Sequence, residues 1–243
     1  MLTAVAVGFG PTFYLRPTFG TVDPVTRSAS LPPHLVLHGV FLTAWFSLLV
    51  LQVVLVRAGR TRLHRQLGVM GLAIAVAVVI SSVLTMHRGT PRRLEALAAS
   101  GAPLDPGRQA AVMKVGAEIL VHDFWTLVSF VLLVGMAVYL RAQPATHKRL
   151  MILASGSLIG PAFSTVRPIG RVLAPYMPSG VLPSVVFLAL CIVALACHDA
   201  LTRHRIEPGT LWGSVVVLAA VAMSTIMLSG ASGLALARWI WGL

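Results

Sequence analysis

The sequence predicts an all-α polytopic transmembrane helix bundle of about seven spans with a tandem helix-hairpin repeat, on three observations. Of its 243 residues 57% are hydrophobic and 11% charged; apolar runs of spanning length recur along the chain; and two of those runs match each other with their flanking turns. A water-soluble core of this size needs far less apolar sequence. Runs of roughly 18 to 25 apolar residues each cross about 30 Å of hydrocarbon as a helix. Helices are the expected form because a spanning segment must satisfy its own backbone polar groups.

Seven segments follow in order: Leu2 to Leu15, His34 to Val56, His64 to His87, Lys114 to Leu140, His147 to Val166, Val181 to Leu201 and Leu211 to Ser232. The first is short for a full crossing. It has no basic n-region, which favours a short first helix over a signal peptide. Breakers fill the connections: Pro32 and Pro33, then Pro91, Pro103 and Pro106, then Pro144, and finally Pro168, Pro175 and Pro178. The connection from Arg88 to Met113 is long enough for a short surface helix, and Asp105-Pro106 is a start signal for the helix after it.

Charge sets the expected orientation and narrows the partners. The net charge of +12 comes from 19 Lys and Arg against 7 Asp and Glu. These cations sit in short clusters between apolar runs rather than on one basic face, which points to a lipid bilayer and not to nucleic acid. The connections Arg57 to Arg65, Arg141 to Arg149 and Arg203 to Glu207 are short, basic and almost free of acid, the mark of the cytoplasmic side. A bacterial inner (cytoplasmic) membrane protein with its N-terminus inside and C-terminus outside is therefore expected. Cys191 and Cys197 lie in an apolar run without metal-ligand spacing and read as small membrane-core residues.

The internal match covers units of about 34–87 and 118–167. His38 to Ala58 aligns without a gap on His122 to Ala142, and after one deletion His64 meets His147. Duplicated hairpins make the second and fourth segments parallel, and likewise the third and fifth. His38 and His122 then share one depth, and His64 and His147 the other. Ionisable groups in or at the ends of spans are costly and mark candidate sites. Two histidines from facing helices are what bis-histidine haem ligation in a bundle requires.

Further residues gather around these histidines. His38, Trp45 and Gln52 recur every seven residues along one stripe, and an amide as deep as Gln52 needs a partner. Glu118, His122, Trp125 and Ser129 form a second stripe, with Asp123 about 100° away. Arg167 is placed to neutralise Asp123 or a haem propionate. A second chemistry uses the same end: His34, His38, His87, Glu118, His122 and Asp123 form a histidine-plus-carboxylate set suited to a metal. No H-E-x-x-H motif is present to suggest zinc hydrolysis. His198, Asp199, Arg203 and His204 read as a polar anchor at the end of the sixth segment.

The stretch His38-Gly39-Val40-Phe41-Leu42-Thr43-Ala44-Trp45, with Gln52, Leu63-His64-Arg65-Gln66-Leu67-Gly68 and His147-Lys148-Arg149-Leu150-Met151, resembles a widespread group of uncharacterised bacterial polytopic membrane proteins. The likeness extends to Phe9-Gly10-Pro11-Thr12-Phe13-Tyr14 and Leu211-Trp212-Gly213. A second resemblance is to the cytochrome b561-like membrane proteins, in which a His-Gly helix and a following His-Arg-x-Leu helix start supply ligands. It implies haem b held by His38 and His122 on one side and by His64 and His147 on the other. Transmembrane electron transfer with a quinone or a redox protein as partner would follow. The competing expectation is a non-catalytic accessory, lipid-binding or transport component. The orientation has a direct check: a cysteine-directed reagent applied from outside should label Ser100→Cys and miss Thr61→Cys, and the reverse pattern would contradict it.

Overall fold

The computed structural model describes residues 6, 9–20, 30–99, 105–164 and 182–242. Among them the chain is helical throughout: a π-helical turn at Gly10–Tyr14, then α1 (Pro33–Arg57), α2 (Thr61–Ala99), α3 (Pro106–Tyr139), α4 (Pro144–Ser164), α5 (Leu182–Arg203), α6 (Pro208–Leu228) and α7 (Ser232–Trp241). Helices α1, α2, α3, α6 and Ser184–Arg203 of α5 are each long and apolar enough to cross a membrane. Their outward faces are apolar too: Val69 is 74% exposed and Ile80 64%. Such continuous apolar exposure suits hydrocarbon, and in water it would be an aggregation surface.

Proline starts four of these helices. Pro33, Pro106, Pro144 and Pro208 each stand at the first helical residue, where a missing N–H costs nothing and the fixed φ suits the helix. Asp105 is the N-cap of α3, as expected, although its side chain makes no capping bond. Three short turns at 58–60, 140–143 and 204–207 join α1 to α2, α3 to α4 and α5 to α6. All three gather at one end of the bundle, here called the turn pole. There His64 of α2 meets His147 of α4, Arg149 of α4 meets Asp199 of α5, and Gly209 of α6 meets Thr146 of α4. Helices α2, α4 and α6 therefore all leave from this pole.

Helix α4 runs through the middle, packed by α3, α5 and α6. Leu150, Leu153, Ala154, Leu158 and Ile159 are all buried, as are Ser155 and Ser157. A helix packed by three neighbours with so many residues buried belongs at the centre of a bundle, with Lys148 and Ile152 left exposed on its remaining face. Gly213 of α6 makes this approach possible, since a Cβ there would lie 2.5 Å from Leu153 Cδ1. The hairpin α1–α2 is peripheral and is tied in by Trp45, which stacks edge-to-face on Phe130 at 5.1 Å. Trp45 Nε1–H also donates to Ser155 Oγ at 3.2 Å.

The opposite end departs from expectation. The Arg88 to Met113 connection is not a loop with a surface helix: α2 continues to Ala99 and α3 begins at Pro106. At 39 and 34 residues these helices are about 58 and 51 Å long, well beyond a hydrocarbon layer of about 30 Å. They project as an antiparallel stalk, in close contact where Thr90 lies against Gly116. Helix α7, absent from the sequence reading, packs against both at this stalk pole. Its Ala237 and Trp241 cluster with Ala117, Leu120 and Val121. Of the short first segment, the turn at Gly10–Tyr14 docks on α1: Phe13 lies against Gly39, and Tyr14 Oη shares a 2.6 Å hydrogen bond with Thr43 Oγ1. Whether that segment crosses the bilayer lies outside the described residues.

The glycine contacts give a stability test. A Cβ at Gly209 would lie 2.7 Å from the Thr146 carbonyl oxygen, whereas one at Gly135 meets nothing within 4 Å. Gly209→Ala should lower stability by about 1–3 kcal/mol, because the obstructing atom is backbone. Gly135→Ala should be neutral or stabilising. Thermal denaturation of the two variants in one detergent checks the contrast.

Candidate functional site

The turn pole holds the most heavily bonded polar group in the described chain. Arg149 enters α4 five residues after Pro144 and points inward; its side chain is 1% exposed, and that of Asp199, near the end of α5, is 0% exposed. Arg149 Nε donates to Asp199 Oδ1 at 2.9 Å and Oδ2 at 3.1 Å, and Nη2 donates to Oδ1. Arg149 Nη1 donates to the Ala145 carbonyl at 2.8 Å. The carboxylate also accepts the Thr210 hydroxyl at 2.5 Å and the Glu207 backbone N–H at 3.2 Å. Every polar face of this pair is thereby engaged, the condition under which a buried ion pair is tolerated. The sequence predicts Asp199 as part of a polar anchor. The structure corrects it: Asp199 turns into the bundle, while His198 beside it is 57% exposed.

On the other side of α4, His147 faces His64. Their ring centroids are 6.4 Å apart with the planes at 89°. His147 Nδ1 is bonded to the Ala137 carbonyl at 2.8 Å, which makes Nδ1 the donor and leaves Nε2 with its lone pair free. The His64 ring stands beside the backbone carbonyl of Gln52, without a hydrogen bond of ordinary geometry at Nδ1. The Gln52 side-chain oxygen is also buried without a partner. Each histidine thus leans back on the end of the helix before its own.

The other expected pair is placed differently. His38 Nδ1 and Ser81 Oγ of α2 are 3.2 Å apart. His122 is buried in a small cavity of about 10 Å³, lined also by Trp125, Ser129, Leu188, Val217 and Ala220 of α3, α5 and α6. Among the described residues the two rings make no contact with each other. Nor do the six metal candidates converge: among the described residues no three His, Cys, Asp or Glu side chains group as a metal site. His87 bonds the Ile240 carbonyl of α7, and His34 lies near Arg88 and Arg92. Glu118 and Asp123 are half-buried on α3. Arg167 lies outside the described residues.

Comparison with family models, with curated proteins and with solved structures gave no match. Four residues of the inward network were missed as a set: Arg149, Asp199, Glu207 and Thr210. The available signal was an aspartate one turn from the end of an apolar run, with an arginine at the start of another.

Removing one partner of the buried pair leaves the other charge stranded. Arg149→Met and Asp199→Leu should each cost about 3–5 kcal/mol, and the double variant should recover much of that loss. A double-mutant cycle on unfolding in detergent measures it, and additive losses would contradict the pairing.

Proposed function

We propose that this chain is an integral membrane electron-transfer protein that binds haem b through His64 and His147. The observation that carries the reading is the 6.4 Å separation of the two rings. Two imidazoles that each hold an iron at about 2 Å place their centroids about 6 Å apart. The bond from His147 Nδ1 to Ala137 supports the same reading, because it fixes the tautomer whose Nε2 is free to ligate. Imidazole is a residue type that ligates haem iron. Bound haem would supply a one-electron couple between ferric and ferrous iron.

The chain's own residues do the rest. The start of α2 and the start of α4 hold the ligands at the turn pole, and Arg62, Arg65 and Lys148 stand next to them in sequence as cations suited to carboxylates. Trp45, Phe130 and Ser155 lock α1 and α3 onto α4. The tandem repeat accounts for the pairing, since His64 and His147 occupy equivalent positions of units 34–87 and 118–167. Under the same reading α4 is itself a crossing, and with the first segment the total is seven. The turn pole faces the cytoplasm of a bacterial inner membrane, on the density of Arg and Lys in its turns.

A visible spectrum tests this. Protein from haem-replete cells should show a Soret band and, on reduction, sharpened α and β bands. His64→Ala and His147→Ala should each lose the six-coordinate spectrum, while His38→Ala should retain it. Colourless protein, or a spectrum indifferent to both substitutions, refutes the assignment.

A further inference from the structure

A second feature of the turn pole stands apart from the histidine pair. Between the α3–α4 and α5–α6 turns lies an open cleft of about 410 Å³, lined by Gln143, Pro144, Thr146, Arg205, Glu207 and Pro208 among others. The Glu207 side chain is 6% exposed and that of Arg205 75%. Among the described residues the Glu207 carboxylate has one charged neighbour, Arg205 Nε at 3.8 Å from Oε1, too far for a hydrogen bond. A carboxylate has about four acceptor sites, and this one, mostly withdrawn from water, reaches what solvent it meets only through the cleft. The backbone here does not relieve it: Glu207 N–H donates to Asp199, and Glu207 makes no side-chain capping bond to α6.

We propose that this cleft binds a primary ammonium group joined to a phosphate, the headgroup chemistry of an amino-phospholipid. The ammonium is a compact cation with three N–H donors, which is what Glu207 lacks. The phosphate lies at the mouth against the exposed Arg205 guanidinium, whose forked donors suit it. The opposite charges of the site thus meet the opposite charges of one zwitterion. A divalent cation is a poorer occupant, since it takes six or more oxygen ligands and the cleft has one carboxylate. The position argues for the lipid as source: the turns of the pole end the apolar spans, where headgroups are concentrated. The site does not involve His64 or His147 and stands whether or not haem is bound.

The test is native mass spectrometry of the full chain in detergent with phosphatidylethanolamine or phosphatidylcholine of identical acyl chains added. Phosphatidylcholine has the same charges but no N–H donor. Retention of phosphatidylethanolamine should exceed it by about tenfold, the worth of one charge-assisted hydrogen bond. Glu207→Gln should remove the preference. Ala145→Leu, which narrows the cleft and leaves every charge in place, should weaken retention of both, so a misfolded glutamine variant does not decide the matter. Free phosphoethanolamine competing at equal concentration supports the same chemistry from a soluble source. Equal retention of the two lipids, or a preference that survives both substitutions, overturns the proposal.

Discussion

The buried pair of Arg149 and Asp199 is the constraint on which the turn pole depends. It joins the first turns of α4 to the last turns of α5, and through Thr210 and the Glu207 backbone it draws in the start of α6. Two charges with almost no exposure are tolerable only if their hydrogen bonds are complete. Completion requires all three elements at once, so the pair fixes register as well as proximity. The tight passage of Gly209 past Thr146 and of Gly213 past Leu153 follows from that register.

The central position of α4 then has two chemical consequences. Arg149 looks toward α5 and α6, while His147, two residues earlier and about 200° around the helix, looks toward α2. One helix start thus serves a structural ion pair on one side and the proposed ligand pair on the other. The peripheral hairpin α1–α2 has little buried surface of its own; Trp45 against Phe130 and Ser155 holds it where His64 can meet His147. At the far pole the groups are more dispersed. His38 Nδ1 bonds Ser81 and His87 Nδ1 bonds the Ile240 carbonyl, so each is held by a neighbouring helix at the stalk end.

How much was legible follows from range. Apolar length and proline starts are local signals, so the helices from His34 to Ser232 were readable to within a few residues at most ends. The exception was Arg88 to Met113, where charge and proline suggested a loop. Pro91 is accommodated inside α2, and the stalk is held by contacts such as Thr90 with Gly116 that no local pattern announces. Helix α7 was missed for a related reason: its ten residues are too short to register as a span. The His64–His147 pair was visible because the sequence match of 34–87 with 118–167 predicts the two histidines at one depth. The Arg149–Asp199 pair has no repeat counterpart, and a charged residue near a span end looks the same in sequence whether it turns outward to headgroups or inward to a partner.

Helices α2 and α4 start side by side at one pole with His64 against His147. In a background with Cys191 and Cys197 replaced by serine, the variant His64→Cys/His147→Cys treated in membranes with a short bifunctional thiol reagent should give one intramolecular cross-link, identified by mass spectrometry of the joined peptides. That product is expected in high yield, and is expected to be absent when His64→Cys is combined with His122→Cys. If the first pair fails to cross-link while both thiols remain singly reactive, the two helix starts are apart and His64 does not face His147.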